Sequence, residues 1–357
     1  MQVLTSLLTR PPIRVAAIGV VIVLAVAACG SGAVEAPPSA PPRSVTTTAD
    51  GPLIQQLTDA VAETGAMQHM QALQKIADEN GGDRAAGTAG YGASVDYVVG
   101  VLRDAGFEAS TPTYQASGDA DEGDSAPGRN VIAQTRSGDP ARVVMIGAHL
   151  DSVPDGPGIV DNGSGVASLL EIATKLGPDP SANNAVRFAF FDNEESGAVG
   201  SSGYLEGLPE ADRQKIKLYL NVDMVASPNG GYFVQGGKGS DVETAGPAGS
   251  SAIGQILADQ LVAAGVTAPE IIEFVGDDES PFIGAGIPVA GAENGDAKQK
   301  TASQAAAWGG QAGQVFDRCY HQACDGIDNV NREVLDHYLR AIAGTVAHFA
   351  TSTDELG

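Results

Sequence analysis

Residues 142–151 read RVVMIGAHLD, an apolar run that ends on His149 and, two residues later, Asp151. A run this short, rich in Val, Ile and Met, predicts a buried strand. The next periodic stretch is DNGSGVASLLEIATKL, residues 161–176: a glycine-containing turn that starts with Asp161, then apolar residues at helical spacing from Gly165 to Leu176. Two further apolar strands follow, AVRFAFFD before Glu194 and Glu195, and IKLYLNVD ending on Asp223. Strands alternating with helices predict an α/β fold, a largely parallel or mixed sheet covered on both faces. Ligands of such sheets bind beyond the carboxyl ends of the strands, which is where His149, Asp151, Glu194, Glu195 and Asp223 fall.

Working outward, NVIAQT (130–135), GYFVQGG, IIEFVG and IPVAG supply more strand candidates. Leu53 to Asp78 reads as one or two helices with a break near Gly65, and Ser94 to Ala105 as another. Ala198–Leu205, Ser250–Ala264, Ser303–Phe316 and Glu333–Phe349 complete the helical set, while the acidic, Gly-rich stretch 116–128 predicts a solvent-facing loop.

The polar residues at the strand ends, with Asp161 and His321, form a set of carboxylates and two imidazoles. Such a set suits divalent zinc, and its negative charge is unfavourable without a cation. Two metals about 3.5–4 Å apart sharing one carboxylate match the hydrolytic clamp of aminopeptidases. Taken singly, each residue has a plainer reading. His149 could be a hydrogen-bonded core histidine, Asp161 a helix cap, the Glu194–Glu195 pair a solvated turn, Asp223 a turn residue and His321 surface decoration. Asp151 is placed to orient His149 by accepting from its second ring nitrogen. His69, His337 and His348 lie in helical patterns without acidic partners and read as structural.

Composition bounds the rest. At 357 residues the chain is long enough for one large α/β unit or two domains. With 44 Asp and Glu against 20 Lys and Arg, a net charge of -24 repels a phosphate backbone, which argues against nucleic acid. No GxGxxG precedes a helix and no phosphate-binding lysine loop occurs, which argues against a nucleotide. Arg10 and Arg14 precede the apolar run Val15–Ala28, a signal-peptide pattern rather than a spanning helix. Val26-Ala27-Ala28-Cys29 resembles the bacterial lipobox, an ordinary secretory signal or uncleaved anchor being the alternatives. The expected organisation is a lipoprotein signal peptide over 1–28, a lipid at Cys29, a Pro/Ser-rich tether over 29–48 and one catalytic domain over 49–357. Localisation is then extracytoplasmic, on the membrane or released to the wall or medium. Cys319 and Cys324 either close a small loop around Tyr320 and His321 or stay as two buried thiols.

The segments GAHLDSV, DNGSGVASLLEIA, FFDNEESGAVGS, LNVDM, PFIGAGIP and WGGQAGQVFDRCYHQACDGIDN together resemble the secreted zinc aminopeptidases of peptidase family M28, in consistent order over roughly 73–350. The resemblance implies a three-layer α/β/α zinc exopeptidase fold around a mixed eight-stranded sheet, in a monomer. It implies two Zn2+, His149 and Asp223 on one, Glu195 and His321 on the other, with Asp161 bridging. Glu194 is then the general base, Tyr320 a donor to the oxyanion, Asp151 the residue behind the histidine ligand, and Cys319–Cys324 a disulfide. Substrates are peptides with free N-termini, and Met224 and Phe282 would line an apolar pocket favouring large apolar N-terminal residues. Alternatives on the same resemblance are a carboxypeptidase or a glutaminyl cyclotransferase-like enzyme; a peptide-binding lipoprotein without turnover is the non-enzymatic one. Cobalt or manganese can occupy such ligands in vitro, and so acidic a surface leaves room for a structural Ca2+, to which no residues are assigned. Where the family often has Ser-Asp-His before Pro-Phe, this chain has Asp277-Asp278-Glu279-Ser280, an expected source of a more acidic pocket.

Overall fold

Alternation along residues 143–148 sends side chains to opposite faces of a sheet. Val144, Ile146 and Ala148 join one buried cluster, Val143 and Met145 another. The neighbouring strand repeats the pattern, with Val186, Phe188 and Phe190 on the first face and Ala185, Ala189 and Phe191 on the second. Burying each of these larger side chains contributes about 1.5–3 kcal/mol, so the central strands read as nearly continuous apolar runs.

The computed structural model describes residues 51–115 and 127–354. The strands are β1 Ala109–Ser110, β2 Thr113–Tyr114, β3 Gly128–Arg129, β4 Val131–Gln134, β5 Asp139–His149, β6 Asn184–Phe191, β7 Ile216–Asp223, β8 Phe233–Gln235, β9 Glu270–Ile272 and β10 Val289–Glu293. Eight of them form one mixed sheet in the order β1-β4-β6-β5-β7-β10-β8-β9, and β2 and β3 form a side ribbon. The central four, β6, β5, β7 and β10, are parallel. Their carboxyl ends therefore lie along one edge, with Glu293 level with Asp223 and His149 level with Phe191.

The helices are α1 Pro52–Ala60, α2 Glu63–Glu79, α3 Ala89–Asp104, α4 Gly163–Leu176, α5 Val199–Gly207, α6 Glu210–Arg213, α7 Val242–Ala245, α8 Ser250–Ala263, α9 Ser280–Gly284, α10 Ala302–Trp308 and α11 Arg332–Thr351. Residues of α1, α2, α3, α4, α8 and α11 build the first cluster, while α5 and α9 cover the second. The architecture is α/β/α in three layers. Among the described residues no helix is long and apolar enough to cross a membrane. The signal segment, Cys29, the tether and most of the 116–128 loop lie outside the described residues.

Three helix boundaries differ from the sequence reading. The break in the first helical stretch falls at Val61–Ala62, because the buried Glu171 carboxylate of α4 accepts the Ala62 N–H at 3.1 Å. Gly65 sits inside α2, where a Cβ would meet that carboxylate at 2.3 Å. Helix α10 stops at Trp308 instead of Phe316, since Gly309 takes φ 75°. Helix α3 begins earlier, at Ala89, with the Thr88 hydroxyl accepting the Tyr91 N–H.

Candidate metal centre

His149 is the last residue of β5 and is almost fully buried. Its Nδ1 lies 3.2 Å from the backbone carbonyl of Asp151, and because a carbonyl only accepts, Nδ1 carries the proton. That leaves the Nε2 lone pair facing Asp161 Oδ1 at 3.2 Å and Asp223 Oδ1 at 3.5 Å. The second imidazole, His321, turns Nε2 toward Asp161 Oδ2 at 3.1 Å and Glu195 Oε2 at 3.0 Å. Asp161 thus presents one carboxylate oxygen to each histidine, and each histidine has one further carboxylate beside it.

Asp151 stands behind His149, as expected, and also holds the neighbouring turn. Its carboxylate is farther from His149 Nδ1, at 3.5 Å, than its own carbonyl, and accepts the backbone N–H groups of Glu194 at 3.1 Å and Glu195 at 3.4 Å. It fixes the short turn Glu194–Ser196 that sets Glu195 beside His321 and Glu194 in the wall of the cleft.

The donor set fits a divalent metal. His149, Asp161 and Glu195 offer ligand atoms all within 4.8 Å of one another. Glu195 Oε1 and Asp223 Oδ1 are buried and accept no hydrogen bond among the described residues, a costly state without a cation. In the field of the protein charges alone, burial, reinforced by the nearby Asp161 charge, pushes Glu195 up to about 8. Burial likewise pushes Glu194 up to about 9, with Asp278 and Asp223 adding to it and His149 opposing. A dication supplies the missing opposite charge and reverses these shifts.

The site opens into a small cleft of about 70 Å³. Tyr320 lines it, stacked on His321 with ring centroids 3.8 Å apart, and so does Met224, held at φ 46°. Phe282 does not reach it. That side chain is fully buried in the second core, stacked on Tyr219 at 3.8 Å, so its sequence assignment to a substrate pocket is corrected to a packing role. Cys319 and Cys324 are bonded, their Cα atoms 5.2 Å apart, around the loop carrying Tyr320 and His321.

Against this geometry the family match decides the affiliation: residues 130–346 match the description "Peptidase family M28". The chain belongs to peptidase family M28. It is 45% identical over 281 residues to leupeptin-inactivating enzyme 1 of Streptomyces exfoliatus, covering 77% of this chain and 59% of that protein. To the probable lipoprotein aminopeptidase LpqL of Mycobacterium tuberculosis it is 41% identical over 314 residues, covering 83% and 59%. The chain therefore spans about three fifths of the length of these relatives. A zinc aminopeptidase from Bacillus subtilis shares the fold, with a TM-score of 0.63 at 17% identity over 82% of this chain and 96% of that one. So does glutaminyl cyclase of Porphyromonas gingivalis, at 0.60 and 23% over 82% and 98%.

Three residues that shape this M28 site escaped the sequence reading. Asn162 caps α4 by accepting the Gly165 N–H at 3.0 Å, accepts the Met224 N–H at 3.2 Å and donates to Val222 O at 2.8 Å, tying the Asp161 turn to the Asp223 strand end. A Cβ at Gly165 would strike Asn162 Oδ1 at 2.3 Å, which is why the turn reads DNGSG. Asp325 accepts the N–H groups of Val160 at 2.9 Å and Asp161 at 3.0 Å, joining the His321 loop to the Asp161 turn. Arg84 is fully buried, and its guanidinium donates to the carbonyls of Leu150, Pro157 (2.9 Å) and Gly158 (2.6 Å), spanning the loop between Asp151 and Asp161.

Arg84→Met leaves three buried carbonyls without donors, each costing about 1–3 kcal/mol. The expected result is a loss of at least about 3 kcal/mol in urea unfolding of the zinc-loaded chain; a loss below about 1 kcal/mol refutes the clamp.

The remaining histidines have neighbours of their own. His69 Nδ1 meets the Tyr97 hydroxyl at 2.7 Å, His337 Nδ1 meets that of Tyr232 at 2.6 Å, and the His348 ring packs edge-on against Phe349.

Proposed function

We propose that the chain is a dinuclear zinc aminopeptidase that hydrolyses the N-terminal peptide bond of extracytoplasmic peptides, acting as a monomer tethered through a lipid at Cys29. The observation that carries the reading is Asp161, one oxygen toward His149 and the other toward His321, with a further carboxylate beside each imidazole. His149, Asp161 and Asp223 would hold one zinc, and His321, Asp161 and Glu195 the other. When bound, zinc polarises the peptide carbonyl and lowers the pKa of water at the site to about 7.

The chain's own groups complete the chemistry. Glu194 opens the turn just beyond β6 and precedes a ligand, so its carboxylate reaches the attacking water without taking a metal position. It accepts the water proton and delivers it to the leaving amine. The Tyr320 hydroxyl, whose proton is held more tightly because of burial and the nearby Asp161 and Asp223 charges, donates to the carbonyl oxygen as charge develops there. Glu194 and Asp223 offer the anionic locus for the substrate's free ammonium. Of the two residues expected to line an apolar pocket, Met224 alone stays at the cleft, beside Val275.

Mass spectrometry of the zinc-loaded full chain, incubated with one peptide bearing a free and then an acetylated N-terminus, tests the reading. Stepwise loss from the free peptide alone, abolished by a chelator, is expected. Intact free peptides across several N-terminal residues, with two zincs bound, would refute it and favour cyclisation or binding without turnover.

A further inference from the structure

The cleft holds more negative charge than its metals and one substrate ammonium require. Beyond Asp161, Glu195, Asp223, His321 and Glu194, its wall carries three further carboxylates, Asp277, Glu293 and Asp296, against two apolar side chains, Met224 and Val275. Glu293 ends β10, level with the ligand Asp223 on the adjacent strand, so the two backbones stand about one strand spacing, roughly 4.8 Å, apart. The position of Glu293 is fixed: its carbonyl accepts from the Tyr338 hydroxyl, which itself accepts the Phe233 N–H at 2.8 Å.

Glu293 is 8% exposed, and the hydrogen-bond donor to its carboxylate among the described residues is the Gln235 side chain, Nε2 to Oε2 at 3.1 Å. The same Nε2 reaches Asp277 Oδ2 at 3.4 Å, so one neutral amide serves two acidic groups. Among the described residues no Lys, Arg or His lies within ion-pair distance of either. Asp296 has Lys298 at 3.6 Å, on an exposed side chain. Lys298 also acts on Glu293, but from beyond ion-pair distance. A buried carboxylate that lines a cleft without a cation in direct contact is a recognition element for one.

Resting on the aminopeptidase reading above, we propose that the pocket for the substrate's N-terminal side chain is acidic and selects lysine or arginine. Glu194 and Asp223 take the α-ammonium. The aliphatic stem lies along Met224 and Val275, and the ammonium or guanidinium head reaches Glu293 and Asp277, one strand spacing further along the sheet edge. Long basic side chains are suited to this because they cover apolar surface with their stems and carry charge at the tip. The two apolar residues at the cleft then serve the stem of a basic residue rather than a leucine side chain.

The test compares kcat/KM of the zinc-loaded full chain on lysine, arginine, leucine and norleucine p-nitroanilides; norleucine keeps the lysine stem without its charge. Lysine and arginine are expected to exceed norleucine by about tenfold or more, the effect of one partly desolvated ion pair. Glu293→Gln is expected to lower the lysine-to-norleucine ratio about tenfold, and Asp277→Asn, on a less buried side chain, gives a second reading by a smaller drop. Equal rates on lysine and norleucine, or an unchanged ratio in Glu293→Gln, overturn the acidic pocket while leaving the aminopeptidase intact. Hydrolysis of none of the four by a chain holding two zincs overturns the aminopeptidase reading and this proposal with it.

Discussion

Replacing Glu194 by Gln is expected to lower kcat by about 10³-fold or more while the folded chain still binds two zincs. The substitution keeps the volume and one carbonyl oxygen but removes the group that takes and returns a proton, and positioned general bases contribute about 10²–10⁴-fold. The zinc content should hold because Glu194 is not among the atoms facing the two imidazoles; Glu195 is. The turn that carries both is held through its backbone N–H groups by Asp151, which the substitution leaves in place. Steady-state kinetics beside metal analysis of the same sample gives the answer. Activity within tenfold of the parent would remove Glu194 from the mechanism, and loss of one zinc would recast it as a ligand.

The candidate site was legible where one physical rule applied. A polar residue that ends an apolar strand, or follows it within a few residues, leaves the sheet at its carboxyl edge, and that rule alone places His149, Asp223 and the Glu194–Glu195 pair. Glu293 obeys the same rule on β10. It was missed because the strand reading stopped at Gly291, where the following Ala-Glu-Asn-Gly resembles a turn, whereas the ladder with β7 runs on to Glu293. Arg84 and Asp325 were out of reach for a different reason. Their partners at 150–158 and 160–161 lie far along the chain, and no local periodicity connects a guanidinium to three carbonyls of a distant loop. Phe282 marks the opposite case: a pocket role implied by resemblance does not say which side of a short helix faces the cleft, and α9 turns Phe282 toward Tyr219. The fold was more accessible, since period-2 and helical patterns are local. Its misplaced boundaries fall where a tertiary contact intervenes, as Glu171 does at Ala62.

Zinc is expected to raise the thermal midpoint of the chelator-stripped chain by more than about 10 °C at pH 8 and by less than half of that at pH 5.5. The sign follows from the ligands. Glu195 is raised to about 8 and Asp223 is raised as well, burial being the main cause for both. A carboxyl with a raised folded value stabilises the fold fully below its unfolded value near 4 and loses that contribution as pH climbs through the folded value. His321, raised by its hydrogen bond to Asp161, behaves in the same direction. For Asp161 burial acts upward, but in the metal-free chain both imidazoles are raised and carry a proton on Nε2 as well, and their hydrogen bonds hold the Asp161 carboxyl below the ordinary range, so it stays ionised throughout. The metal-free chain therefore weakens from pH 5.5 to pH 8. Zinc displaces the protons that Glu195, Asp223 and the imidazoles retain, so its binding strengthens over the same interval. At a thousandfold excess over Kd each site adds about 4 kcal/mol, and about 2–4 °C follows per kcal/mol. Calorimetry of the stripped chain at three pH values, with and without zinc, measures this directly. A zinc-dependent gain that is flat with pH, or larger at 5.5, would show that protonated carboxyls are not what zinc replaces. Asp161→Asn supplies the internal control: with the shared oxygen gone from both halves, the gain should collapse at every pH, whereas in Glu194→Gln it should keep both its size and its slope.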